Sequence, residues 1–199
     1  MNLSTRAFHF FIFMLGMNVS LFAQKMDKRY KTFTVERVIP APAEKVWQFI
    51  AEDYGAIANS HPKIWYADYE NGSLKGELGA QRRCDFNKKG TKVLHEKIVD
   101  WNPEKMQFTN RVLKAGGFPI DVDNTRAFYA VKEVDANKSV MSFTMQFRTK
   151  PAFMGGMAKG RFTKLIEDYL LAVEHHVTTG EVVNAKTGNF KEIKKQYSR

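Results

Sequence analysis

Ser139-Val140-Met141-Ser142-Phe143-Thr144-Met145-Gln146-Phe147-Arg148 is the stretch whose pattern settles the fold. Met141, Phe143, Met145 and Phe147 fall on one face, and Ser142, Thr144, Gln146 and Arg148 on the other. Such period-two alternation belongs to a strand in a sheet with one dry and one wet face. Beyond Pro151 and Gly155-Gly156 the period changes. Phe162, Leu165, Ile166, Tyr169, Leu170, Val173 and Val177 recur every three or four positions, which predicts a helix over roughly Met157 to Thr179. Lys164, Glu167, Asp168, Glu174 and His175 point away from that stripe, and Gly180 supplies the stop. A one-faced antiparallel sheet beside a long amphipathic helix implies an α+β fold with the helix laid across the sheet.

Upstream, the chain is strand-like for nearly ninety residues from Lys63. Runs at Ile64–Glu70, Ala80–Asn87, Thr91–Trp101, Met106–Leu113 and Thr125–Val134 precede the quoted strand. Asn71-Gly72, Gly90, Asn102-Pro103 and Asp135-Ala136-Asn137 separate them, as hairpin turns of a meander do. Tyr30–Pro40 reads as a first strand. Ala41-Pro42-Ala43-Glu44 opens a helix with Pro pre-set for the first turn and Glu at the positive dipole end. Asp53–Asn59 reads as a second short helix, broken at Ser60-His61-Pro62. The sheet thus has six to seven strands, with one or two short helices after the first.

The two ends read differently from this body. Met1–Ala23 has a basic residue, Arg6, then an apolar stretch, then Ala23 before a charged run, as in a secretory signal cleaved after Ala23. The expected product is exported, to the periplasm if the source is bacterial, or secreted. Residues 30–183 form the expected domain. Asn184 to Arg199 is polar and basic without periodicity, which reads as a flexible tail.

Lys and Arg total 31 against 21 Asp and Glu, a formal net charge of +10. Arg82, Arg83, Lys88 and Lys89 are scattered along strands, and no basic stripe with aromatic platforms or nucleic-acid motif appears. The charge therefore reads as a solvated basic surface with weak attraction to anionic membranes, not as a nucleic-acid site. The lone cysteine, Cys84, forms no internal disulfide and reads as a small buried residue. No metal site is expected, since His175-His176 are adjacent and project about 100° apart on a helix. No nucleophile elbow, zincin, C-x-x-C or phosphate-loop signature occurs.

In order, Val38-Ile39-Pro40-Ala41-Pro42-Ala43-Glu44-Lys45-Val46-Trp47, His61-Pro62, Gly79-Ala80-Gln81-Arg82, Leu94–Asp100, Phe118-Pro119 and the last helix resemble the START-like (SRPBCC, Bet v 1-like) superfamily. The similarity is strongest to its polyketide cyclase/dehydrase and lipid-transport branch, and the plant abscisic acid receptors share similar words. The resemblance implies a helix-grip fold, a curved sheet around the last helix enclosing an apolar cavity. It also implies a small hydrophobic ligand (a lipid, an isoprenoid or an aromatic polyketide) and no cofactor.

On that resemblance, Met141, Phe143, Met145, Phe147, Phe108, Phe162, Ile166, Tyr169 and Val173 are candidate cavity lining, and plain core packing is the competing reading. Period two places Leu94, Glu96 and Ile98 on one face, which makes Glu96 the candidate polar group, with a cross-strand salt bridge as the alternative. His61 stands at the implied mouth, or in a simple turn. Lys114-Ala115-Gly116-Gly117-Phe118-Pro119 resembles a gate loop, with Phe118 as lid. Two other functions stay open: a cyclase using Glu96 as acid or base with Arg83 or Tyr129, and an interaction module with a closed cavity. A ligand carrier needs an interior of about 300 Å³ or more.

Overall fold

Asn71 and Gly72 both adopt positive φ, 53° and 75°, and the Ser73 N–H closes their turn on the Glu70 carbonyl at 3.1 Å at the start of the connection to Gln81. The turn launches a meander in a computed structural model that describes residues 30–198. The proposed leader, Met1–Ala23, lies outside the described residues.

In chain order the elements are β1 (Lys31–Ile39), α1 (Ala43–Trp47), a π turn (Gln48–Glu52) and a 3-10 turn (Tyr54–Asn59). Then come β2 (Ser60–His61), β3 (Tyr66–Glu70), β4 (Gln81–Asp85), β5 (Val93–Asn102) and β6 (Gln107–Gly116). After these stand β7 (Arg126–Asp135), β8 (Lys138–Phe147), α2 (Gly155–Thr179), β9 (Val183–Asn184) and α3 (Phe190–Gln196). Seven strands form one antiparallel sheet in the order β1-β8-β7-β6-β5-β4-β3, and β2 and β9 form a short parallel pair.

The predicted alternation in β8 is observed. Met141, Phe143 and Phe147 are buried, and Met145 is half-buried beside them. Register shifts between His95 and Glu96 and between Ile98 and Asp100 interrupt the β5–β6 ladder. Bulges of this kind bend a strand and sharpen its twist, which wraps the sheet towards α2. Gly180 ends α2 in the left-handed conformation with φ of 78°, its N–H bonded to the His176 carbonyl. The result is the helix-grip α+β architecture.

Two expectations need correction. The tail from Asn184 is not without structure: it carries α3, whose Ile193 is 2% exposed. It was missed because seven residues with one buried side chain show no measurable period, and so short a helix is stable only through packing. For the same reason the second half of α2 is not wet on its outer face. Leu171, Ala172, Val183 and Ile193 make a second small core, and His175 is buried between the Tyr197 hydroxyl and the Glu181 carboxylate. Glu174 is bonded to Arg37 of β1, and Lys194 of α3 to Asp168.

Truncating a buried Ile removes its transfer energy and leaves a cavity, a loss of about 2 kcal/mol or more. Ile193→Ala is therefore expected to lower the urea midpoint of the whole domain by that equivalent. An unchanged midpoint would show that α3 does not pack on the core.

Candidate functional site

The inward face of β4 carries an arginine. Arg82 is 2% exposed and Cys84 1%, while Gln81, Arg83 and Asp85 alternate outward. Arg82 thus does not belong to the solvated basic surface expected for it. Its cost of burial is met by partners on three elements. Register places Glu96 of β5 directly opposite, and Arg82 Nε donates to Glu96 Oε2 at 2.8 Å. Nη1 donates to the Tyr54 carbonyl at 2.9 Å, and the guanidinium lies 3.9 Å over the Tyr54 ring. The Tyr54 hydroxyl donates in turn to Asn110 Oδ1 of β6 at 2.9 Å. Gly55 lets this turn seat itself, since a Cβ there would come within 2.5 Å of the Tyr69 ring.

Burial opposes the Arg82 charge, but the neighbouring Tyr54 and Glu96 outweigh it and hold the guanidinium protonated above its ordinary range. Desolvation raises the Cys84 thiol and the Tyr129 phenol well above their usual values, so both stay neutral. The alternative offered for Glu96, a cross-strand salt bridge, is what the geometry contains, and it faces the interior. Arg83 is not its partner, because that side chain turns outward to Asp85 at 2.8 Å.

Beside this pair lies a cavity of about 90 Å³. Its walls come from β4 to β8, the His61–Ile64 segment, the 117–125 loop and the first half of α2. The cavity falls short of the roughly 300 Å³ at which ligand pockets usually begin. A lipid-sized occupant does not fit the interior in this conformation.

Of the sequence-proposed residues, the walls include His61, Glu96, Phe118, Phe143, Met145, Phe162, Ile166 and Tyr169. Phe108, Met141, Phe147 and Val173 are not brought to them. Phe108 is closed in by Tyr129, stacked at 4.3 Å, and by the edges of Tyr54 and Trp47. Phe147 packs edge-on against Phe33 and Phe162. Met141 and Val173 are both 0% exposed within the main core. The strand face and helix stripe each run past the cavity, and periodicity does not show where lining ends and packing begins.

His61 is 4% exposed and stacks on Tyr169 at 5.1 Å. Its Nδ1 accepts the Lys63 N–H, which leaves the ring proton on Nε2. Burial, reinforced by the Arg82 charge, pushes its pKa down to about 3. From His61 an aromatic run passes edge-on to Phe86 and on to Phe118. Phe118 follows Gly117, whose φ of 72° favours glycine. The loop is tied to the β8–α2 connection by the Asp121 N–H to Arg148 carbonyl and Lys150 N–H to Pro119 carbonyl bonds.

Sequence reasoning missed Arg82, Tyr54 and Asn110. Asn110 left a signal: it stands between Phe108 and Val112 on the inward face of β6, where an amide needs partners. It is 1% exposed, its Oδ1 takes the Tyr54 hydroxyl, and its Nδ2 has no partner among the described residues.

A sheet gripping a terminal helix around an apolar interior with a few buried polar groups defines a helix-grip protein of the START-like superfamily. The chain belongs to the family described as polyketide cyclase / dehydrase and lipid transport, which it matches over residues 31–178. A comparison with curated protein sequences finds no match. Among solved structures, it is similar to the protein XoxI from Bacillus cereus, with 21% identity and a TM-score of 0.58, over 74% of this chain and 96% of that one. The di-domain ARO/CYC BexL from the BE-7585A biosynthetic pathway has 15% identity and a TM-score of 0.60, over 74% of this chain and 46% of that one. Norcoclaurine synthase from Thalictrum flavum, in complex with dopamine and hydroxybenzaldehyde, has 12% identity and a TM-score of 0.55, over 75% and 87%.

Removing one member of a buried ion pair strands the other, at about 3–5 kcal/mol, whereas replacing both by apolar residues is often nearly neutral. Arg82→Met alone is expected to show that loss in chemical denaturation, and Arg82→Met with Glu96→Leu to recover most of it. A second expectation concerns pH. The folded His61 pKa of about 3 lies below the ordinary histidine value of 6.5, so the unfolded chain binds the extra proton between those values. Its contribution is complete above about pH 6.5 and is lost as pH falls towards 3, with a slope of at most about 1.4 kcal/mol per pH unit. His61→Phe should flatten that slope in denaturant titrations at pH 7 and 4.5.

Proposed function

We propose that this protein binds a small, largely apolar molecule of one or two rings in the cavity between the sheet and α2. The observation that carries the reading is the cavity itself, apolar on most sides, roofed by Phe118 next to Gly117 and walled on one side by the buried Arg82–Glu96 ion pair. Affinity comes from removing apolar surface from water, and orientation from the few polar groups on the wall.

At about 90 Å³ the closed cavity must enlarge to admit such a ligand. Phe118 is the side chain placed to move, since it is half-buried and meets the wall through Phe86 alone among the ring contacts. Unbranched Met145 is the wall residue that adapts most readily to an irregular occupant. Family membership supports a hydrophobic ligand. The likeness to norcoclaurine synthase, with its two single-ring compounds, supports a ligand of that size.

Native mass spectrometry of the gently purified full chain tests this. A co-purified apolar molecule is expected, released on denaturation. Ala127→Phe, which fills the cavity from β7, should abolish that adduct and the uptake of an apolar fluorophore while the chain stays folded. If the wild type binds neither, or the filled variant binds as well as the wild type, the cavity is not a binding site.

A further inference from the structure

The outer face of the sheet carries a row of like charges. Antiparallel register sets Gln81 opposite Lys97, Lys97 opposite Arg111, Arg111 opposite Arg126 and Arg126 opposite Gln146. Glu96 and Ile98 beside Lys97, and Asn110 and Val112 beside Arg111, are buried inward, so both cations point outward. Arg126 begins β7, where it borders the interior cavity and also a surface recess of about 180 Å³ shared with Tyr30, Asp123, Asn124 and Gln146. Cross-strand neighbours on one face have Cβ atoms about 5 Å apart, and like charges so placed destabilise a sheet. Three in succession, on β5, β6 and β7, cost stability unless an anion lies between them.

The acids of this face do little to cancel the row. Glu70 is bound to His95 and Asp85 to Arg83, both at 2.8 Å. Asp68 accepts from the Tyr66 hydroxyl. Asp100 stands one row away, opposite Thr109. Among the described residues only Asp123 forms an ion pair with the row, with Oδ1 3.1 Å from Arg111 Nη2, and its side chain is 71% exposed. So exposed a pair contributes little. The donors of the row are largely unspent. Arg126 directs Nη1 to the Asp123 carbonyl at a long 3.4 Å. Arg111 Nε is covered and has no partner among the described residues.

We infer that Lys97, Arg111 and Arg126 form a binding site for a phosphate or sulfate group on the outer face of the sheet. A tetrahedral oxyanion offers acceptors to several strands at once, and guanidinium forks match oxyanions in pairs of parallel hydrogen bonds. The Gln146 amide, opposite Arg126, is a neutral donor for the same group. The bound charge offsets the repulsion along the row, so binding and stability are linked. The site lies across the sheet from α2 and does not depend on what the interior cavity holds.

Urea denaturation of the full chain in sodium phosphate, sodium sulfate and sodium chloride at equal ionic strength tests the site, with calorimetric titration of phosphate beside it. Phosphate or sulfate is expected to raise the midpoint above that in chloride. Arg111→Gln and Lys97→Gln should each weaken phosphate binding about tenfold, the loss of one charge-assisted contact. In chloride they should not both lower the midpoint, since each removes a like-charge neighbour. Lys88→Gln, the same charge change on an exposed turn, should bind as the wild type does. Flotation with phosphatidylcholine vesicles, with and without phosphatidylglycerol, separates the sources of the group. Binding to the anionic vesicles alone, lost in both row variants and without a response to free phosphate, assigns it to a lipid headgroup. The inference is overturned if neither the free anions nor the anionic vesicles bind, or if the row variants bind as well as the wild type. It is equally overturned if Lys88→Gln loses as much as they do, or if both row variants lower the midpoint in chloride. The cavity reading stands in each of these cases.

Discussion

A guanidinium inside the sheet is the constraint around which the rest of this interior is arranged. Charge at that depth is tolerated only where geometry supplies a counter-charge and hydrogen bonds together. The β4–β5 register supplies Glu96, the 3-10 turn supplies a carbonyl and a ring at Tyr54, and β6 supplies Asn110 to anchor the Tyr54 hydroxyl. Three neighbouring strands and the segment after α1 are thereby held in one arrangement. Apolar packing alone would stabilise the same layers but would tolerate small slips between them. A directed network does not.

That network also explains why there is a cavity where the α2 stripe and the β8 face would otherwise close on each other. Past the network, at Phe108, Phe147 and Val173, the two layers meet without a gap. Beside it, the wall carries the Arg82–Glu96 pair and Asn110, and α2 presents Phe162, Ile166 and Tyr169 to that wall across the cavity. The interior is small and lined mostly by apolar side chains.

How much of this was readable without coordinates depended on the length scale of each signal. β8 and α2 announce themselves because their patterns repeat several times, and Asn71-Gly72 because a turn needs those residue types. Glu96 was placed on the inward face by counting in twos. Arg82 lies on the same kind of inward position, yet an arginine on a strand reads as surface because charged residues are seldom buried. Only the register, which pairs it with Glu96, reveals otherwise. α3 was illegible because its order comes from contact with Leu171 and Ala172, which no local pattern records. Lining and core look alike in sequence, since both are apolar and both keep the period.

The place of β1 in the sheet has a consequence for biosynthesis. Among the described residues its only neighbour is β8, so this strand waits for the last strand of the sheet before it can pair. Throughout that interval its amide edge is open to any other extended chain. The alternation within Lys31–Ile39 puts Thr32, Thr34 and Glu36 between Phe33, Val35 and Arg37. Charges set inside an apolar run act as gatekeepers against such off-pathway pairing. Arg37, which in the folded chain is clamped to Glu174 of α2, is one of the charges so placed in β1.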